Sequence, residues 1–125
     1  VGKLENKNLN HEKINYIKYV GDTSSLIKIY DDHNIFILPS FTEAHPKVID
    51  ESLARLRPVI IFEEIKHIVK DKKGIFVSKR DAKSLSLTID FVMKNYISIQ
   101  ESMSENKLPT KKEFISQMVN ILGLK

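Results

Sequence analysis

Two glutamates, Glu43 and Glu51, are separated by seven residues and follow an apolar run of the chain. The run, Ile35–Leu38, predicts a buried strand, and Pro46 is typical of the first turn of the helix that follows. Open α/β sheets bind ligands in the crevice beyond the carboxyl ends of their strands. We therefore expect one carboxylate in a loop at such a crevice and the other in the next helix.

This pair of carboxylates suggests a site for a polar ligand. Glu43 could accept hydrogen bonds from ligand hydroxyls, and the free amides of residues 47–49 at the helix start would suit an anionic group. Glu51 could accept two hydroxyls of a ribose, as acidic residues do in other nucleotide sites. Alternatively, Glu51 and Arg55 are spaced i,i+4 in the favourable order and could form only a solvated helix pair. The spacing alone leaves both interpretations open.

Three more residues beside the glutamates could contact a ligand: Ser40, His45 and Lys47. Each has a plainer interpretation, because a serine can simply turn the chain and a loop histidine or helix-start lysine is usually solvated. The remaining histidines have no metal-ligand spacing with one another or with carboxylates: His11, His33 and His67. We therefore expect no metal site.

The composition is that of one soluble globular domain, with 125 residues, 42% hydrophobic and 29% charged. The net charge of +4 comes from lysines spread along the chain, without a basic block with interleaved aromatics, so nucleic-acid binding is not expected. A local group of basic residues could instead touch anionic lipid: Lys70, Lys72, Lys73, Lys79 and Arg80. The absence of cysteine excludes disulfides and thiolate chemistry and agrees with a cytoplasmic location.

Apolar runs alternate with helical patterns along the chain. Four runs predict strands: Ile14–Val20, Ile35–Leu38, Val59–Phe62 and Ile75–Val77. A short helix capped by Asp22, Thr23 or Ser24 is predicted to carry Leu26, Ile27 and Tyr30 on its apolar face. Further helices are predicted at 46–56 and 81–95, with a helical turn at 64–69 and a last helix after a capping box at residues 110–113. Because the strands are continuous rather than alternating apolar runs, we predict an α/β, Rossmann-like three-layer domain whose parallel sheet is covered on both faces.

The segment around the glutamates resembles the core of the GT-B retaining glycosyltransferases of family 4. It has their Pro-Ser pair at Pro39, their two glutamates seven residues apart, a short helix and a Pro-Val-Ile run from Pro58. Further on, Glu64–Val69 and Gly74–Val77 are similar to that family's Pro-Glu-Ile-Val and Gly-Leu-Leu-Val segments. The resemblance covers about Ile14 to Asn95 and, more loosely, the C-terminal helices.

The resemblance implies roles for individual residues. Glu43 would be the catalytic-site glutamate that contacts the donor sugar near the reacting carbon, and Glu51 would bind the ribose of the nucleotide. The backbone amides around His45–Val48 would face the diphosphate without a metal ion. The implied nucleotide-sugar-binding residues are therefore Glu51, Ser40, His45, Lys47 and Val48.

The resemblance also implies that the chain is the C-terminal, donor-binding half of a GT-B enzyme, truncated at its N-terminus. Residues 1–125 would form one nucleotide-sugar-binding domain, with 1–13 irregular and 96–125 forming C-terminal helices. The intact enzyme would transfer a hexose to a glycan or lipid-linked acceptor held by a missing N-terminal domain, as in polysaccharide or lipopolysaccharide synthesis. The intact enzyme would act in the cytoplasm, either free or in peripheral contact with the inner face of the membrane. The fragment alone would not catalyse transfer.

The chain departs from the family pattern at two places. The family commonly has Gly-Phe-Gly after its first glutamate, whereas this chain has Ala44-His45-Pro46, and Phe62-Glu63-Glu64 replaces a glycine-rich step. The basic pair that grips the phosphates in the family has no counterpart here. The alternative function is a non-catalytic Rossmann-like binding module with a structural acid pair. A receiver-type signalling domain is disfavoured, because Asp31 and Asp32 precede a strand instead of following one.

Overall fold

The computed structural model describes residues 12–123, and its centre is a parallel three-stranded sheet. The strands lie in the order β1 (Phe36–Leu38), β2 (Val59–Phe62) and β3 (Ile75–Ser78). Ile37, Ile60 and Phe76 are aligned across the three strands. Parallel neighbours require a crossover connection, which α-helices usually provide. The predicted α/β class with a parallel sheet is confirmed.

In this described part of the chain, five α-helices and one 3₁₀ helix accompany the sheet: α1 (Thr23–Asp31), α2 (Lys47–Ala54), the 3₁₀ helix Glu63–Ile68, α3 (Ala82–Lys94), α4 (Tyr96–Met103) and α5 (Lys111–Ile121). Side-chain caps fix three of the helix starts. Asp22 accepts from the amide of Ser25, Asp81 does the same for Ser84, and Thr110 forms the predicted capping box with Glu113. These bonds satisfy amides that have no acceptor inside the helix.

The core is built around β2, whose four residues are all buried. Successive strand side chains point to opposite faces, so the sheet is covered on both faces at this strand. On one face, the ring of Phe76 contacts the ring of Phe91 in α3 edge-on, with centroids 6.0 Å apart. The main apolar cluster joins β2 to α2, the 3₁₀ helix and α4 and includes Ile49, Leu53, Ile65 and Met103.

The predicted strand Ile14–Val20 is wrong, because this segment is neither helix nor strand. Ile14, Tyr16 and Tyr19 are exposed, and Ile17 and Val20 are only partly buried. A high β propensity reflects a good fit to a pleated, half-buried surface, and the segment does not bury enough side chain to form one. Within residues 12–123 the sheet therefore has three strands, not four.

The predicted irregular segment 1–13 falls mostly outside the described residues, and residues 12 and 13 form a turn. The predicted C-terminal helices correspond to α4 and α5. The limits of the domain stay a prediction. No helix in the described part of the chain is long and apolar enough to cross a membrane.

Candidate functional site

The loop between β1 and α2 contains three of the six predicted site residues. Because the three strands are parallel, their carboxyl ends lie at one edge of the sheet, and this loop starts at that edge. Ser40 and Glu43 are partly buried in it, and His45 is exposed just before α2. The loop therefore occupies the place at which open α/β sheets bind ligands.

Ser40 and Glu43 form a hydrogen-bonded unit. The Ser40 hydroxyl donates to Oε1 of Glu43 at 2.7 Å. At the other side of the same residue, Nε2 of His67 lies 2.8 Å from the Glu43 carbonyl oxygen, to which it donates when protonated at that nitrogen. Both the side chain and the backbone of Glu43 are thus held in place by neighbouring residues.

Arg80 follows β3 and connects it to the start of the loop. Its two terminal nitrogens donate to the carbonyl oxygens of Pro39 (3.1 Å) and Ser40 (3.0 Å). Its Nε donates to a carboxylate oxygen of Glu64 at 2.9 Å, and this hydrogen bond is the main reason that the pKa of Glu64 is lowered. The guanidinium carbon lies over the rings of Phe41 and Phe62, 3.9 and 4.3 Å from their centroids.

Glu51 is held by a tyrosine of α1. The Tyr30 hydroxyl donates to Oε2 of Glu51 at 3.1 Å and lies 3.4 Å from the Val48 carbonyl oxygen. Burial, followed by the nearby Glu51 charge, raises the pKa of Tyr30 far above its usual value, so the phenol stays a donor. Glu51 itself is exposed on α2.

The alternative of a Glu51–Arg55 helix pair is wrong. Arg55 instead binds Asp31 with two hydrogen bonds, from Nε at 2.8 Å and from a terminal nitrogen at 2.6 Å. This bidentate geometry is the favoured one between guanidinium and carboxylate. The hydrogen bond from Arg55 is also the main cause of the lowered pKa of Asp31.

The start of α2 has no side-chain cap. Pro46 occupies the N-cap position, where it makes no side-chain hydrogen bond to the helix. The Ile49 amide donates to the Pro46 carbonyl oxygen at 3.1 Å, so the expectation that this amide is free is wrong. Between residues 12 and 123, the amides of Lys47 and Val48 have no acceptor, and the exposed Lys47 side chain has no carboxylate partner.

His45 lies near an acidic residue of α2. Its Nε2 is 3.5 Å from a carboxylate oxygen of Asp50, whose other oxygen accepts from Lys72. A cavity of about 110 Å³ borders this group and is lined partly by Pro46 and Lys70. The basic group predicted from the sequence is therefore partly neutralised, since Lys72 pairs with Asp50 and Arg80 with Glu64.

The predicted site residues thus separate into small sets. Ser40 and Glu43 are directly bonded, Val48 and Glu51 share contacts with Tyr30, and His45 and Lys47 belong to neither set. Across the described ranges, no group of three or more histidine or acidic side chains is placed to hold a metal ion.

Three residues that the sequence did not predict complete these sets: Tyr30, His67 and Arg80. His67 was considered only for its metal-ligand spacing, and Tyr30 only as an apolar residue of α1. Arg80 had a usable signal, because it lies just after a predicted strand and just before the Asp81 cap. That position is at the carboxyl edge of a parallel sheet.

The family model described as "Glycosyl transferases group 1" matches residues 2–108. The match includes the whole sheet, the loop after β1, and the helices through α4. No curated protein and no solved structure gives a significant match.

Proposed function

Because this chain belongs to the glycosyl transferases of group 1, we propose that it is the donor-binding domain of a GT-B, family 4 enzyme that acts with retention. The observation that carries the proposal is the hydrogen bonding of the two glutamates. Each accepts from one neutral hydroxyl, of Ser40 or of Tyr30, and within residues 12–123 neither is paired with a cation. Both carboxylates therefore keep acceptor capacity for the hydroxyls of a ligand.

In this proposal Glu43 contacts the donor sugar and Glu51 contacts the ribose. The amides of Lys47 and Val48, which have no acceptor within residues 12–123, lie between them along the chain and receive the diphosphate, helped by the helix dipole and by the Lys47 ammonium. These groups supply positive charge without a metal ion, so we propose a metal-independent site. Ser40 and His45 complete the predicted set of binding residues. Ser40 orients Glu43, and His45 contacts the donor from the loop before α2.

Catalysis would depend on orientation of the donor and on electrostatic stabilisation of the departing diphosphate. The acceptor, a glycan or lipid-linked molecule, would be bound by a further domain. We therefore propose that this chain binds donor but does not turn over alone. A cytoplasmic location is part of the same proposal, since nucleotide sugar is the required donor.

The proposal is tested by titrating the 125-residue chain with nucleoside diphosphates of different bases and with the matching nucleotide sugars, using calorimetry. Glu51→Gln keeps an acceptor for Tyr30 but removes the charge that would receive the ribose hydroxyls. A hydrogen bond to a charged group contributes about 1.5 kcal/mol or more, so we expect at least about tenfold weaker binding of the preferred nucleotide.

The matched control is Glu101→Gln, which removes the same charge from the exposed surface of α4. It should leave nucleotide affinity unchanged. The loss in Glu51→Gln should also be smaller when the nucleotide lacks its ribose 2′-hydroxyl. A folded chain that binds none of the nucleotides would refute the donor-binding role and favour the binding-module alternative. Equal losses in both variants would refute the assignment of Glu51 to the ribose.

A further inference from the structure

Arg80 lies among the residues that follow all three strands. It contacts Pro39 and Ser40 after β1, Glu64 after β2, and is itself two residues beyond the end of β3. We propose that Arg80 is a positioning residue for Glu43, which it orients through Ser40. This inference rests on the proposed function, because it concerns the glutamate that would contact the donor sugar.

The connection from Arg80 to Glu43 consists of two hydrogen-bonding steps. The guanidinium donates to the Ser40 carbonyl oxygen at 3.0 Å, and the Ser40 hydroxyl donates to Glu43 Oε1 at 2.7 Å. The additional bond to the Pro39 carbonyl fixes the peptide that precedes Ser40. Ser40 is therefore held by its backbone while its side chain holds the carboxylate. One oxygen of Glu43 is occupied in this way, and the other is left for a ligand.

Arg80 is not placed to hold the donor phosphates itself. Its Nε and both terminal nitrogens already donate within the protein, and Glu64 balances its charge. Phe41 and Phe62 lie against the guanidinium, with ring centroids within 4.3 Å of its central carbon. A group with these contacts has little capacity left for a further anion, so its effect must come from the geometry of the loop.

The side chain has to be arginine for this arrangement. A planar guanidinium can donate to two carbonyls and a carboxylate in fixed directions while it stacks on aromatic rings. A lysine keeps the charge but has a single nitrogen and cannot reproduce the fork. We therefore expect Arg80→Lys to behave like Arg80→Gln rather than like the wild-type chain.

Two ligands separate the effect of Arg80 on Glu43 from a general effect on binding. The preferred nucleoside diphosphate lacks the sugar that Glu43 would contact, whereas the nucleotide sugar contains it. In Arg80→Gln the affinity for the diphosphate should change by less than about twofold, and the extra affinity contributed by the sugar should fall about tenfold. This is the size expected for one lost hydrogen bond to a charged group. Glu43→Gln should produce the same pattern.

A double variant tests whether Arg80 acts through Glu43. Residues within one hydrogen-bond network show non-additive effects. The double variant with Arg80→Gln and Glu43→Gln should therefore lose no more sugar-dependent affinity than Glu43→Gln alone. Arg55→Gln is the matched control, because the Arg55 guanidinium is likewise paired with a carboxylate, that of Asp31, but lies away from the loop. It should leave the sugar-dependent affinity unchanged.

A measurement without ligand keeps the inference testable if binding is weak. Backbone ¹⁵N relaxation should show residues 40–43 becoming more mobile in Arg80→Gln, with order parameters falling from about 0.85 towards 0.6. The same residues should stay rigid in Arg55→Gln. If Arg80→Gln does not fold, Ser40→Ala removes the hydrogen bond to the Glu43 carboxylate and should give the same loss of sugar-dependent affinity.

The outcomes separate the two proposals. Absence of diphosphate binding by the folded wild-type chain overturns the proposed function. If Arg80→Gln binds the diphosphate and the nucleotide sugar, and the sugar adds as much affinity as in the wild-type chain, the inference about Arg80 is overturned while the proposed function stands. Full rescue by Arg80→Lys, additive losses in the double variant, or unchanged order parameters would each also overturn it.

Discussion

Substitution of Gly74 by alanine should strongly destabilise the fold. Gly74 precedes β3, has a φ of +92°, and its carbonyl oxygen accepts from the amide of Val59 at 2.8 Å. A Cβ placed on it would lie 2.5 Å from Cγ and 2.6 Å from Sδ of Met103. Met103 is buried in the main apolar cluster, with only 2% of its surface exposed. The glycine is therefore required by both the backbone angle and the packing.

The size of the effect follows from these two terms. A left-handed backbone costs an L-residue about 1–2 kcal/mol, and forcing an extra carbon into a packed core costs about 1–3 kcal/mol. We expect Gly74→Ala to lower the free energy of unfolding by about 2–5 kcal/mol. With an unfolding entropy of about 2.1 cal/mol/K per residue, the Tm of this domain should fall by about 8–20 °C.

Thermal unfolding followed by circular dichroism measures this loss, and two other variants separate its causes. Gly123 also has a positive φ, +64°, but nothing lies within 4 Å of an added Cβ, so Gly123→Ala should show little or no packing cost. In a Met103→Ala background, Gly74→Ala should cost only the backbone term, about 1–2 kcal/mol. An equal loss in the presence and absence of the Met103 side chain would refute the packing argument. A Tm shift no larger than that of Gly123→Ala would refute the whole explanation.

Two further predictions concern the residues that hold helices and the candidate site. Tyr30→Phe removes the donor to Glu51 and should lower the free energy of unfolding, measured by urea titration, by about 0.5–1.5 kcal/mol. It should also lower the affinity for the nucleotide. An unfolding free energy equal to that of the wild-type chain would show that this bond is not formed. The pKa of Asp22 is lowered to about 2, chiefly by the hydrogen bond from the Ser24 hydroxyl. Because the pKa of Asp22 is lower in the folded than in the unfolded chain, the ionised carboxylate stabilises the fold fully above about pH 5, and this stabilisation is lost as pH falls from about 4 to 2. In Asp22→Ala the free energy of unfolding, measured by urea titration at several pH values, should therefore fall less over that window.

The sequence predicted most elements because their signals are local. Continuous apolar runs identified the three strands found within residues 12–123, and β2 was predicted with the observed bounds, Val59–Phe62. The caps Asp81 and Thr110 determine helix starts through bonds to residues three positions later, so they can be recognised from the residue types alone. The strand predicted at Ile14–Val20 was wrong because a strand also needs a neighbouring strand to pair with and a surface to cover. The β propensity of single residues does not describe either requirement.

The contacts of the candidate site are not local, and the sequence could not predict them. Tyr30 and Glu51 are 21 positions apart, and Arg80 lies 40 positions from Ser40. The helix pair between Glu51 and Arg55 was the partnership that their i,i+4 spacing suggested. It does not form because the fold brings Asp31 to Arg55, and a two-bond contact with a guanidinium is favoured over a single solvated pair.

The distribution of partners around the site follows a consistent electrostatic pattern. Several basic side chains that lie near the loop or α2 are already paired with other carboxylates: Arg55 with Asp31, Lys72 with Asp50 and Arg80 with Glu64. The two glutamates are instead held by neutral hydroxyls. If a guanidinium were bound to one of these glutamates, a ligand hydroxyl would have to compete with a charge-assisted hydrogen bond. At Glu43 or Glu51 the ligand hydroxyl only shares the carboxylate with one neutral hydroxyl donor. This pattern favours a site that keeps two carboxylates fixed in direction and open to polar ligand groups, as the proposed nucleotide-sugar site would need.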